Sequence, residues 1–368
     1  MQHIIAKILL ISCIILCCSC SLSQQQIQQR DDYLYRAQIY YQNQKYMNAL
    51  QQIEFALEID PEYKRALISK GWTLYYLDRI EEAEEIFKNA EKMDDTDPWL
   101  QYGLGAVSYK KGIDILNRLA KLNQRINATK DQKVQEELQK KYKDVLDRYS
   151  QQKEKYFDAS IEHFKRAIET AKDNIELYKM LATVYATKGP ESYPIALKHI
   201  DHYIQLLDTE YESLKTEKSA KEELRLDEDI FQKDKEELDL MIESLNQQIE
   251  KNRKEFVDIQ GVAGEWSFIL TDRALHKLTP KSSKEEHLKV KKQAQDCENR
   301  LVSIVKIAPE ASIHYQNLAK LARIQGKYSL AEKYLNYYLA TYPLADPSER
   351  ANAKLELEKI QEKMKSSH

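Results

Sequence analysis

The chain has 368 residues and a formal net charge of −3. Charged residues make up 31% of it, and glycine and proline number only 8 each, a composition that favours long helices over sheets and loops. The near balance of charge argues against nucleic-acid binding, which would require a clustered basic face.

The N-terminal residues indicate an export signal. Lys7 supplies one positive charge, an apolar run follows it, and a small residue precedes Cys20. The run is shorter than the roughly 20 residues of a membrane-spanning helix. The segment resembles a bacterial lipoprotein signal, whose cleavage leaves a lipid-modified cysteine at the new N-terminus. We therefore predict a signal peptide over residues 1–19, lipidation of Cys20, with Cys18 as the alternative, and a tether over residues 20–29.

Cysteine usage agrees with this prediction. After cleavage before Cys20, the mature chain would keep only that cysteine and Cys297. With Cys20 acylated, no intramolecular disulfide can form, so packing must hold the fold. Cys297 lies in an apolar helical pattern, where a free cysteine is usually a small buried hydrophobe rather than a reactive thiol.

A 34-residue period follows the predicted tether. Three tyrosines and several small residues recur at this spacing. The series are Tyr41, Tyr75 and Tyr109; Ala37, Gly71 and Gly105; Ala49 and Ala83; and Ala56 and Ala90. Such a period predicts a stack of helix pairs, because only small side chains let neighbouring helices approach closely. The pattern resembles the tetratricopeptide repeat (TPR) family, in which small residues occupy three fixed positions of each 34-residue unit.

The repeat pattern divides the chain into segments. We predict units 1 to 3 (start) over residues 30–112, the end of unit 3 with unit 4 over 156–208, a degenerate helix pair with a C-terminal unit over 261–346, and a capping helix over 347–368. The displaced second helix of the third unit is recovered from Phe157, Ser160, Phe164 and Ala167. In the fourth unit Tyr203 takes the third small position, and we expect it to open the packing there.

Two insertions, residues 113–155 and 209–260, interrupt the repeats and contain no glycine or proline. The first has apolar arms on both sides of a polar segment, Asn127–Asp131, that predicts a turn. The return arm of the second repeats apolar residues in the 4–3 spacing of a coiled-coil seam: Phe231, Leu238, Ile242, Leu245, Ile249, Phe256 and Ile259. We predict two antiparallel hairpins, and projection from the repeats is favoured over folding back onto them.

The predicted fold class is therefore all-α: a TPR-type α-solenoid of helix-turn-helix repeats, interrupted by two long antiparallel helical, coiled-coil-like hairpins. No catalytic set is evident, since the sequence has no glycine-rich phosphate loop and no paired-cysteine metal motif. His199 and His202 have a spacing that can bind a metal from one helix face, but surface histidines on a polar helix are far commoner. We predict no enzyme activity, no cofactor and no metal site.

The resemblance also predicts a binding surface, because in this family the first helix of each unit lines a concave face. In the first three units it assigns to that face Tyr41, Arg65, Trp72, Tyr75, Tyr76, Trp99, Tyr102, Tyr109 and Lys110. The later units contribute Lys179, Thr183, Lys320 and Arg323, which are far less aromatic. Tyrosine and tryptophan dominate binding hot spots, so the face predicts capture of an extended peptide or partner helix. The alternative is that these rings simply pack against adjacent helices.

These features together predict a lipid-anchored cell-envelope scaffold that binds protein or peptide partners through an aromatic groove, in the assembly of an envelope or secretion complex. Its anchor would lie in the inner or outer membrane, with the periplasmic side favoured over the cell surface. The alternatives are a periplasmic accessory lipoprotein of a solute transporter handling a small ligand, and a surface adhesin. Pairing between chains through the second hairpin also stays open.

Overall fold

The structure is a computed structural model. It describes residues 22–226, 232–279, 281–307, 312–341 and 347–366. Within these ranges it contains thirteen α-helices and no strand, as predicted for an all-α fold. The predicted signal peptide, Cys20 and Phe231 lie outside the described residues. Among the described helices, none has an apolar stretch long enough to cross a membrane.

The chain divides into two compact units, Met1–Ala171 and Lys172–His368. The first contains α1 (Gln24–Gln42), α2 (Tyr46–Ile59), α3 (Lys64–Tyr76), α4 (Ile80–Glu91), α5 (Pro98–Asn127) and α6 (Gln132–Thr170). The second contains α7 (Ile175–Lys188), a 3₁₀ turn (Pro190–Ser192), α8 (Tyr193–Arg225), α9 (Gln232–Lys277), α10 (Lys284–Ile307), α11 (Ser312–Ile324), α12 (Tyr328–Thr341) and α13 (Pro347–Lys365).

In the first unit, phenylalanine rings pack directly against glycines of neighbouring helices. The ring of Phe87 on α4 lies between α3 and α5, where a Cβ at Gly71 or Gly103 would fall 2.5 Å or 2.4 Å from it. Phe164 on α6 stands in the same relation to Gly105 on α5. Neighbouring helices can approach this closely only where the side chain is absent, which is the packing that the 34-residue period predicted.

The connections within the helix pairs repeat as well. Gln44 between α1 and α2, and Asp78 between α3 and α4, both have left-handed backbones, with φ of +58° and +59°. Gly326 takes a positive φ of +74° in the corresponding turn between α11 and α12. A left-handed residue therefore closes the turn in all three helix pairs, although glycine occupies it only in the last one.

The first hairpin is formed by extensions of α5 and α6. α5 ends at Asn127, and Asp131 caps α6 by accepting hydrogen bonds from the backbone amides of Lys133 and Val134. Over residues 116–156, all of them described, Ile126 is the one buried residue. The two arms therefore cover each other along a narrow seam.

The second hairpin pairs α8 with α9. Leu238, Leu245 and Ile259 are buried seven or fourteen residues apart, as the coiled-coil spacing predicted. The remaining heptad position holds Asn252, which is 6% exposed and donates from Nδ2 to Glu210 Oε2 at 3.3 Å. A polar residue thus interrupts an otherwise apolar seam.

α9 is continuous from the hairpin into the helix that packs on α10. It runs unbroken through Gly261 and Gly264, although the sequence pattern placed a segment boundary at 260/261. A glycine within a helix costs only about 1 kcal/mol relative to alanine. At Gly264 a Cβ would fall 2.6 Å from Ile304 Cδ1, so the missing side chain lets α10 approach.

Tyr203 does not open the packing of the fourth repeat. It is fully buried, packs with Ile259 and Ala263 of α9, and donates its hydroxyl to Glu255. Tyr338 occupies the equivalent position of the last repeat and is also fully buried. The following helix therefore accommodates a large ring at this position.

Three further candidate residues of the second unit have packing partners. Cys297 is fully buried, and this burial raises the pKa of its thiol, as expected for a small hydrophobe in the core. The imidazole of His199 stacks on Tyr185, and that of His202 lies edge-on to Tyr178 at 4.4 Å between ring centres. The two histidines thus stabilise contacts between α7 and α8.

Candidate peptide-binding groove

A concave cavity of about 530 Å³ lies in the first unit between α1, α3 and α5. These are the first helices of three consecutive pairs, so the cavity occupies the face on which the predicted groove was placed. Its floor is apolar and comprises Leu34, Ala37, Ile53 and Ile68. Its walls contain five aromatic residues, here called the aromatic cluster: Tyr41, Trp72, Tyr76, Trp99 and Tyr102.

Helical periodicity brings the lining residues of α3 onto one face. Arg65, Ser69, Trp72 and Tyr76 follow one another at spacings of four, three and four residues, and each lines the cavity. At 1.5 Å per residue, Arg65 lies about 10 Å from Trp72 along the helix axis. On α3 the cationic side chain is therefore about two turns from the nearer aromatic one, whereas Trp99 and Tyr102 extend the aromatic lining along the start of α5.

Trp72 is the centre of the aromatic cluster. Its ring centre lies 4.9 Å from that of Tyr102, and its edge meets Phe87 of the core at 5.8 Å. Its indole Nε1 donates to the backbone carbonyl of Trp99 at 3.2 Å. This bond joins α3 to the start of α5 and fixes the orientation of the indole.

Three tyrosines pack together beyond Trp72. The rings of Tyr46 and Tyr76 stack at 5.2 Å, and Tyr41 meets both rings edge-on at 5.5 Å. Burial, and then the neighbouring Tyr76 hydroxyl, raise the pKa of Tyr41 far above its usual value. Tyr41 therefore stays protonated above pH 10, where an ordinary tyrosine ionises, and Tyr76, which is 50% exposed, lines the cavity.

The electrostatics of the cavity are set by two charged residues. Asp97 is already engaged, because it caps α5 through the amide of Trp99 at 2.9 Å and pairs with Lys64 at 3.3 Å. Arg65 is exposed and makes no hydrogen bond or ion pair with any residue that the structure describes. The charge left available to a ligand is therefore positive.

Not every residue predicted for the groove lines this cavity. Tyr41, Arg65, Trp72, Tyr76, Trp99 and Tyr102 do so. Tyr75 packs edge-on against Trp72 at 5.7 Å, and the ring of Tyr109 lies 6.0 Å from that of Phe157. Lys110 pairs with Asp78 at 3.2 Å. Tyr109 therefore packs against the adjacent helix α6, whereas the ring that Tyr75 meets belongs to its own helix, α3.

The predicted groove residues of the second unit are engaged in contacts of their own. Lys179 pairs with Glu255 at 2.7 Å, and Thr183 donates back to the Lys179 carbonyl at 2.8 Å. Lys320 lies 3.5 Å from Asp272. Arg323 also pairs, with Glu356 at 3.5 Å.

The cavity has polar lining residues that the sequence analysis did not select: Gln38, Gln42, Ser69 and Thr73. Tyr46 was also missed as a neighbour of the groove, because it belongs to a second helix and reaches Tyr76 only through the tight turn at Gln44. Ser69 could have been found, since it lies one turn from Arg65 and one turn from Trp72 on the same helix face.

Comparison with known families bears directly on this region. Residues 34–98 match the model described as "Tetratricopeptide repeat". This segment has the tetratricopeptide repeat fold. The matched TPR segment includes α2, α3 and α4 whole and the C-terminal part of α1, together with the floor of the cavity. The all-α TPR-type fold predicted from the 34-residue period is thereby confirmed.

Solved TPR structures are similar to this chain at low identity. YrrB, described as a TPR protein with an unusual peptide-binding site, is 12% identical, with 82% of this chain and 97% of that chain covered and a TM-score of 0.43. The assembly chaperone of RpL4 (Acl4, residues 1–338) is 13% identical, with coverages of 81% and 83% and a TM-score of 0.39. TTC0263 of Thermus thermophilus is 11% identical, with coverages of 90% and 98% and a TM-score of 0.31. A search of curated proteins found no match.

Proposed function

We propose that this chain is a lipid-anchored scaffold of the bacterial cell envelope that holds a protein or peptide partner in the cavity of its first unit. The observation that carries the proposal is the convergence of three consecutive TPR first helices on one open, aromatic cavity with an exposed cation. Aromatic residues around a concave site provide large apolar contact area at low entropic cost. The partner would thereby be held at the membrane for assembly of an envelope or secretion complex.

The envelope part of the proposal rests on the N-terminal sequence. A single basic residue, a short apolar run and Cys20 together support export and lipid attachment. Labelled fatty acid should be incorporated into the wild-type protein and lost from Cys20→Ala, whereas Cys18→Ala should retain the label. Retention of the label by Cys20→Ala would refute this site of attachment.

Partner binding can be tested by affinity purification from gently solubilised envelopes. A stoichiometric protein partner should be recovered with the wild-type chain and lost with Tyr76→Ala, which removes a half-exposed ring from the cavity wall. Tyr35→Ala is the matched control, because Tyr35 is 65% exposed on α1 and does not line the cavity. Equal recovery with both variants would contradict the proposal.

A second candidate function is supported by the size of the cavity. About 530 Å³ falls within the range of roughly 300–1,000 Å³ that is usual for small-molecule sites. In this alternative the chain is a periplasmic accessory of a solute transporter. Native mass spectrometry of the purified protein should then show a small molecule that stays bound, and Trp72→Phe should weaken its binding. Detection of the bare protein mass alone would count against this alternative.

A further inference from the structure

The aromatic rings that line the cavity form a continuous series of contacts. The centres of successive rings lie 5.5 Å apart from Tyr41 to Tyr76, 6.3 Å from Tyr76 to Trp72, 4.9 Å from Trp72 to Tyr102, and 6.1 Å from Tyr102 to Trp99. All five rings of this aromatic cluster line the same cavity. A ligand therefore meets aromatic surface along its length.

The polar lining residues provide unused hydrogen-bonding groups beside these rings. The side-chain amides of Gln38 and Gln42 make no hydrogen bond to another residue in the described ranges. Both residues lie on α1 and flank Tyr41. They are therefore available to pair with the backbone of a ligand that has unpaired carbonyl groups.

The spacing of the lining residues suits an extended ligand. Arg65 and Trp72 both line the cavity and lie about 10 Å apart along α3. At about 3.1 Å per residue, this is the length of roughly three residues in the polyproline II conformation. One short extended segment can therefore contact both side chains.

We propose that the ligand is a proline-rich segment in the polyproline II conformation that carries an acidic residue. Proline-rich segments dock in aromatic-lined grooves, and their backbone carbonyls are left unpaired by the conformation itself. The proline rings lie on the aromatic cluster, Gln38 and Gln42 donate to the carbonyls, and the acidic side chain pairs with Arg65. This inference rests on the proposed function, since it names the partner class of the same cavity.

The inference is tested by titrating the full mature chain with synthetic peptides and following heat and tryptophan fluorescence. The probe is an acetylated, amidated peptide of one aspartate followed by five prolines. One comparison peptide replaces the prolines by alanines, and a second replaces the aspartate by lysine. The proline–aspartate peptide should bind at least about tenfold more tightly than either, because it alone combines the rigid backbone with the charge that complements Arg65.

Two variants assign the effect to the cavity. Arg65→Gln should abolish the preference for aspartate over lysine while keeping the preference for proline over alanine. Tyr76→Ala should weaken all proline peptides at least about fivefold, and Tyr35→Ala should change nothing.

Equal binding of the proline and alanine peptides would overturn the inference. Binding of maltohexaose, a sugar that can also stack on aromatic rings, in place of the peptides would do the same. After either result, the proposed function would still be supported if the envelope partner were not recovered with Tyr76→Ala in the purification experiment. If both the peptide preference and the loss of the partner were absent, the cavity would have no binding role.

Discussion

Phe87 on α4 lies so close to Gly71 on α3 that a Cβ at Gly71 would fall 2.5 Å from Phe87 Cε1. Cβ atoms do not approach an aromatic carbon so closely, and the ring is fully buried, so an added side chain would force a shift within the core. The absence of one side chain thus sets the distance between the two helices of the second repeat.

Gly71→Ala is therefore expected to lower the free energy of unfolding by about 1–3 kcal/mol, the usual cost of overpacking a core. Replacing a glycine by alanine in an unobstructed helix would instead stabilise it by roughly 1 kcal/mol. Chemical denaturation of the variant measures the difference, and Gln51→Ala on the exposed side of α2 is the control. Combining Gly71→Ala with Phe87→Leu should recover part of the loss, and a stabilised Gly71→Ala protein would contradict this packing.

Gln44 closes the turn between α1 and α2 with a φ of +58°, a conformation that costs a residue with a side chain roughly 1–2 kcal/mol. Gln44→Gly should therefore stabilise the chain by about 0.5–1 kcal/mol, because the entropy that glycine adds to the unfolded state offsets part of the gain. Thermal denaturation would show this as a higher midpoint. Gln51→Gly, in the middle of α2, should lower the midpoint, and a fall with both variants would refute the role of the turn.

Asn252 interrupts the apolar seam between α8 and α9, and its Oδ1 is buried without a hydrogen-bond partner among the described residues. Asn252→Leu should therefore raise the free energy of unfolding by about 1 kcal/mol, because a polar group at a seam position costs stability. Denaturant titration checks this. Gln247→Leu on the exposed side of α9 should have little effect, and a destabilised Asn252→Leu variant would show that the bond to Glu210 outweighs the unpaired oxygen.

Glu255 joins α9 to α7 and α8. Partial burial opposes its ionisation, but the hydrogen bonds from Lys179 and Tyr203 outweigh this and hold the pKa of Glu255 below its usual 4.5. Because the folded pKa is lowered, its contribution to stability is present above pH 4.5 and is lost as the pH falls through the folded pKa. Glu255→Gln should therefore be less stable than wild type at neutral pH, and the gap should close in acid. Denaturation across a pH series measures the gap, and a gap independent of pH would contradict this linkage.

The repeat architecture could be predicted from the sequence because close contacts between helices require small residues at regular intervals. Gly71 and Gly105 follow the period, as does Ala37, and the coiled-coil spacing placed Leu238 and Leu245 at a buried seam. The turn of the first hairpin was also recognisable from its polar residues, since such side chains compete for backbone hydrogen bonds.

The details of the groove were less accessible to sequence reasoning. Tyr75 and Tyr76 are adjacent in sequence, yet only Tyr76 lines the cavity, because neighbouring residues on a helix point about 100° apart. Tyr46 packs against Tyr76 because the preceding turn contains Gln44 in a left-handed conformation. A glutamine in the sequence does not predict that conformation. Tyr203 was expected to open the packing, but the position of α9, which covers it, follows from tertiary structure.

The central claim is that the cavity between α1, α3 and α5 holds a partner, and photo-crosslinking in intact cells tests it most directly. A photoreactive phenylalanine analogue placed at Tyr76 should give one dominant adduct with a partner. The same analogue at Tyr35, an exposed position outside the cavity, should give none. The claim would be contradicted by an adduct from position 35 that matches or exceeds the one from position 76, or by the absence of any adduct at position 76.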